Sequence, residues 1–154
     1  MTTTCYHEGV GADARAVIDR VVARARAEVA GADQLRFEVV PAPAINIDGK
    51  LCFGAFSPEL SLVLLAGEPP EPDITRAEWL ETMLPEVISH ELAHLEQHRD
   101  GRRLQERGVA VRARSLARRL DAGFTVIEFL VALATLVIWS VLFISWACPG
   151  INTP

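Results

Sequence analysis

The chain has little cysteine, and what it has is badly placed for pairing. Cys5, Cys52 and Cys148 are widely spaced, odd in number and free of any C-x-x-C pattern. That excludes a disulfide framework and a cysteine zinc site, and fits a reducing compartment. The amino terminus, MTTTCYHEGV, lacks a basic stretch followed by an apolar one, so no secretory signal peptide is expected there. Internal repeats and low-complexity tracts are absent as well, which removes solenoid architectures. Aromatic residues are missing from the one strongly basic segment, the arginines from Arg99 to Arg119, which a net charge of −5 conceals. With nothing to stack on bases, no nucleic-acid partner is expected; contact with anionic lipid headgroups accounts for these arginines more simply.

A length of 154 residues suits one domain with an appendage. The appendage announces itself in composition. Residues 124–148, FTVIEFLVALATLVIWSVLFISWAC, are apolar apart from Glu128 and small hydroxyl residues, long enough to cross a hydrocarbon core of about 30 Å as a helix. Basic residues precede this stretch and none follows it, which places the N-terminal domain in the cytoplasm and makes the chain a single-pass membrane protein. The expected division is residues 1–120 as a folded domain and 121–154 as its anchor.

Within the domain, Val17, Ile18, Val21, Val22, Ala25 and Val29 recur at helical spacing, so an amphipathic helix is predicted over Asp13 to Ala30, ending at Gly31. Residues 34–40 read as a strand. Asp48-Gly49 between two apolar runs signals a hairpin, and LSLVLLA (60–66) a further strand. Thr75 and Glu78 form a T-x-x-E capping box opening a helix, with a kink or restart expected at Pro85. A helix from about Pro85 to Asp100, capped by Gly101, is followed by another from Arg102 to Asp121.

The third of these helices carries HELAHLEQHRDG, residues 90–101. His90-Glu91-Leu92-Ala93-His94 fits H-E-x-x-H. At about 3.6 residues per turn, side chains at i and i+4 stand one above the other, so both imidazoles can reach one Zn²⁺ while Glu91 stands beside it as general base. On a helical wheel these groups share the side of Met83, Val87 and Leu95, where ionisable groups need partners to offset desolvation. His98, about 12 Å along the axis from His90, is too far to join them, and Glu96 points away from His94. The third ligand is expected beyond Gly101. Glu106 is the first choice, as a carboxylate on the stripe of Val109, Ala113, Ala117 and Leu120; read structurally, it is a first-turn glutamate favoured by the helix dipole. Asp100 is the alternative, although the H-E-x-x-H-x-x-G-x-x-H/D arrangement needs a glycine where this chain has Gln97.

The segment VISHELAHLEQHRDGRRLQERGV resembles the core of a small zincin, closest to gluzincin-type metallopeptidases. The resemblance implies an α+β fold: N-terminal helix, short three- to four-stranded sheet, active-site helix and second ligand helix, here with one C-terminal transmembrane helix. It also implies a bound Zn²⁺, a peptide or protein substrate laid along an edge strand, with 60–66 as the candidate, and hydrolysis by a zinc-activated water. Tyr6 and His7 are the available oxyanion partners. A second resemblance lies in GFTVIEFLVALATLVI, which is similar to the class III signal of type IV pilins and implies prepilin peptidase cleavage after Gly123. Taken together, the expectation is a membrane-anchored zinc metallopeptidase; the alternative is a pilin-like or catalytically inactive metal-binding adaptor of a membrane assembly.

Overall fold

A computed structural model describes residues 4–106 and 108–120. The elements run β1 (Thr4–Tyr6), α1 (Ala12–Glu28), β2 (Arg36–Val40), β3 (Ile45–Ile47), β4 (Lys50–Cys52), β5 (Gly54–Ser57), β6 (Leu62–Ala66), α2 (Arg76–Glu78), α3 (Leu84–Arg99) and a last helix, α4, over 109–120.

Four strands make one mixed sheet in the order β1-β2-β6-β5, with β1, β2 and β6 parallel and β5 antiparallel to β6. Period-2 alternation sends Phe37, Val39, Val63 and Leu65 into the core, where Ile18 and Val22 of α1 and Ile88 and Leu92 of α3 cover them. The Asp48-Gly49 signal is realised in the hairpin β3–β4, where both turn residues take positive φ, as a tight two-residue connection requires.

The capping box forms as predicted: Thr75 Oγ1 accepts the Glu78 N–H at 3.1 Å. The restart expected at Pro85 is found: α3 is a separate α-helix that begins at Leu84. The turn before it, Trp79–Met83, is π-helical, with the Leu84 N–H bonding to Trp79 O, and this wider turn carries the chain from α2 straight into α3. Pro85 then sits in the first turn of α3, where its missing N–H costs least. At the other end Gly101 takes φ 67°, its N–H bonds to His98 O at 3.0 Å and the Arg102 N–H to Gln97 O at 2.9 Å, a Schellman termination.

Several expectations are corrected. No helix among the described residues is long and apolar enough to cross a membrane; the longest, α1 and α3, each carry a polar, exposed face beside the buried one. The expected α+β domain plus one transmembrane helix is therefore described here as a small α+β fold without such a helix. The expected span at 124–148 and the cleavage position at Gly123 lie outside the described residues. The second ligand helix is also different: 102–105 is irregular and α4 begins only at 109, after Gly108 at φ 87°, so Glu106 belongs to the connection. Val109, Ala113, Leu116 and Leu120 form the buried stripe of α4. Lastly, 60–66 supplies β6, an inner strand; the edges of the sheet are β1 and β5, and β5 is the one that borders the His90–His94 helix.

An ion-pair cluster fastens the start of α2 to the rest. The Arg76 guanidinium donates from Nη2 to Asp13 Oδ1 at 2.8 Å and from Nη1 to Glu68 Oε2 at 2.6 Å, joining the first turn of α1 to the segment after β6. These bonds hold the Asp13 carboxyl well below the usual carboxylate range. A depressed folded-state value stabilises the fold above the unfolded value of 3.8 and loses that effect as pH falls below it. Asp13→Asn should therefore lower the urea midpoint at pH 7, with the difference from wild type shrinking steadily below about pH 4. A difference that stays constant with pH would show that Asp13 acts through something other than its charge.

Candidate metal centre

The site is assembled from one helix and one connection. Buried Leu84, Ile88, Leu92 and Leu95 pin α3 to the core at helical spacing, and this rotation turns Glu91 and His94 inward. Glu91 is 5 % exposed and His94 9 %; His90, one residue before Glu91, is half-buried. The two imidazoles meet edge to face with centroids 4.9 Å apart, as expected of an i, i+4 pair.

Glu106 approaches from the connection to α4. Its Oε2 lies 3.2 Å from His90 Nε2 and its Oε1 3.4 Å from His94 Nε2. Among the described residues, these three side chains bring their donor atoms together within 4.8 Å. Asp100 does not join them: it caps α3 and faces Arg102 at 3.5 Å. His98 packs against the Phe56 ring, and Glu96 is bonded to Arg112, so neither is a ligand candidate. Tyr6 donates its hydroxyl to Asp19 Oδ1 at 2.7 Å, which occupies it on α1.

These three donor groups lie close enough together to hold a metal ion. Metal–ligand bonds of about 2.0–2.2 Å in a tetrahedron place neighbouring donor atoms about 3.3 Å apart, close to the 3.2 and 3.4 Å between the carboxylate and the two ring nitrogens. An ion pair explains the cluster less well. Burial pushes the His90 imidazole below its ordinary value, and the charge and hydrogen bond of Glu106 oppose this only in part.

Glu91 stands apart from the three. Desolvation, helped by the negative charge of Glu106, pushes its carboxyl up to about 7, while a hydrogen bond from the Phe56 backbone N–H works in the opposite direction. A cation held by the neighbouring ligands would draw that value back down. Burial and the Glu91 charge also push the Cys52 thiol up, so the nearest cysteine is a thiol at neutral pH and no nucleophile.

The hydrogen bond from Phe56 identifies what lies opposite α3. Phe53 O accepts the Ala66 N–H at 2.9 Å, making Phe53 and Ala66 a bonded pair. By alternation Ala55 and Ser57 bond to β6, whereas Gly54 and Phe56 turn their backbone groups to the open edge. This edge forms one wall of an open cleft of about 920 Å³, with the β3–β4 hairpin, α3, Glu106 and α4 around it. The sequence reading runs residues 54–56 into the second half of the Asp48-Gly49 hairpin; the structure makes them part of β5, a separate strand paired with β6, whose four residues GAFS show no alternation of apolar and polar side chains. Sequence reasoning missed Gln97, which it read only as a lost glycine and which lies 3.2 Å from His94 Nδ1 through its Oε1.

Comparison with protein-family models, with curated proteins and with solved structures gives no match to this chain. What the site can do is therefore argued from its own geometry.

Gly54 is what lets β5 approach α3. A Cβ there would stand 2.7 Å from Val87 Cγ1 and 3.0 Å from Glu91 Oε1. Gly54→Ala should force the strand outward at a cost of about 1–3 kcal/mol, read from denaturant midpoints. A variant as stable as wild type would mean that strand and helix are not packed this closely.

Proposed function

We propose that this protein is a zinc-dependent peptide hydrolase in which His90, His94 and Glu106 hold the metal and Glu91 is the general base. The observation that carries the reading is the convergence of two adjacent imidazoles and one carboxylate beside a buried, separately held glutamate, all facing one cleft. Two histidines and a glutamate are a donor set of catalytic zinc sites, which leave a position open to water or substrate. When bound, zinc supplies Lewis acidity to a water and to the carbonyl under attack.

The remaining steps belong to the chain. Glu91, fixed by the Phe56 N–H, accepts the proton of the attacking water and returns it to the departing amine. The Gly54 N–H and C=O and the Phe56 C=O are open for an extended peptide to pair with, which orients its scissile bond across the cleft. Ile47, Leu51 and Phe53 on one side and Leu104 on the other are exposed apolar residues lining the same cleft, so the preferred peptide carries bulky apolar side chains. Lys50 and Arg114 line it as well and attract acidic groups flanking those side chains.

The full-length chain should bind about one zinc per molecule, measured by elemental analysis, and cleave apolar fluorogenic peptides until chelated. Glu91→Gln should keep the zinc and lose hydrolysis by about 10²–10⁴-fold. Wild type without zinc, or Glu91→Gln as active as wild type, would refute the assignment. Leu51→Asp should raise KM for apolar peptides several-fold with kcat little changed; an unaltered KM would remove the hairpin from the substrate site.

A further inference from the structure

We infer that Gln97 is a positioning residue that assembles both halves of the metal site: it fixes which nitrogen of His94 is free, and it holds in place the segment that delivers Glu106. This rests on the metal reading above.

Gln97 Nε2 donates to Gln105 O at 3.0 Å, and Gln97 Oε1 accepts the Gln105 N–H at 3.2 Å. A backbone N–H only donates and a carbonyl only accepts, so Gln105 allows the side-chain amide a single orientation. The same Oε1 lies 3.2 Å from His94 Nδ1. An amide oxygen cannot donate, so Nδ1 carries the proton, and in the neutral ring the lone pair belongs to Nε2. That lone pair points at Glu106 Oε1, 3.4 Å away. Two acceptors this close repel unless a proton or a cation lies between them, and a zinc ion relieves the contact while using both.

Gln97 also governs the chain beyond α3. Its backbone carbonyl accepts the Arg102 N–H at 2.9 Å and its side chain grips residue 105, so one residue pins both ends of the irregular stretch 102–105. The next residue is Glu106. Spacing makes this economical: Gln97 lies three positions after His94, on the same face of α3. A hydrogen-bonded partner behind a ligating histidine typically contributes 10–100-fold in metal affinity.

Zinc affinity of the full-length protein, measured by competition with a chromophoric chelator, tests the inference together with long-range ¹H–¹⁵N spectra of the imidazoles after metal removal. Gln97→Ala should weaken zinc binding about 10–100-fold and release His94 from the Nδ1–H tautomer while His90 keeps its signals. Gln97→Glu retains the acceptor for Nδ1–H but, ionised, cannot donate to Gln105 O. It should preserve the tautomer and bind zinc with intermediate affinity. A residue that served folding alone would lower stability without moving the tautomer. The wild-type spectrum is itself decisive, whatever the variants do: His94 protonated at Nε2 overturns the inference. Zinc bound equally by wild type and Gln97→Ala, with unchanged His94 signals, overturns the role of Gln97 alone. Wild type that binds no zinc overturns the metal reading as well.

Discussion

Placing ionisable side chains on the core-facing side of a helix costs free energy unless partners are supplied, and much of this fold is arranged around that cost. Leu84, Ile88, Leu92 and Leu95 dock α3 on the sheet so firmly that its rotation is not free to carry Glu91 and His94 out to water. Leaving a carboxylate in such a place without compensation would cost several kcal/mol, or force it to hold its proton. Each inward group has a specific answer: Ser89 bonds to Pro85 O, Glu91 receives the Phe56 N–H, and His94 is held between Gln97 and Glu106.

These answers come from different parts of the chain, and this separates the roles of neighbouring carboxylates. Glu91 lies buried beside β5, and desolvation pushes its carboxyl up to about 7. Glu106 is exposed, arrives on an irregular connection and lies within reach of both imidazoles, which suits a ligand. The Glu106 charge adds to the upward push on the Glu91 carboxyl, and a cation bound beside them would oppose it.

The edge strand β5 borders the same cleft as the three donor groups. β5 is short and begins with a glycine because it must lie almost against α3, as the contacts of an added Cβ with Val87 and Glu91 make plain. The close approach serves twice over. It brings the Phe56 N–H to Glu91, and it leaves the outward backbone groups of β5 bordering the cleft that holds the three donor atoms.

Local chemistry was legible in the sequence wherever one element contained its own cause. The i, i+4 histidines, the capping box at Thr75, the Asp48-Gly49 hairpin, the amphipathic α1 and the glycine termination of α3 each depend on residues a few positions apart, and each could be read from spacing alone. Glu106 was legible as a candidate, but its place was expected on a helix, because the pattern continues through Arg102–Asp121 and does not reveal how tightly Gln97 binds the chain at 105. The strands β1 and β5 are too short to show a period, and their pairing with β2 and β6 depends on residues far away in the chain. Residues 124–148 gave the clearest compositional signal of all, yet lie outside the described fold. The sequence by itself determined which side chains stack on α3, since helix geometry is set by neighbours. Only the tertiary structure decided what meets them, since a strand edge and a returning connection are positioned by contacts between residues that the chain keeps far apart.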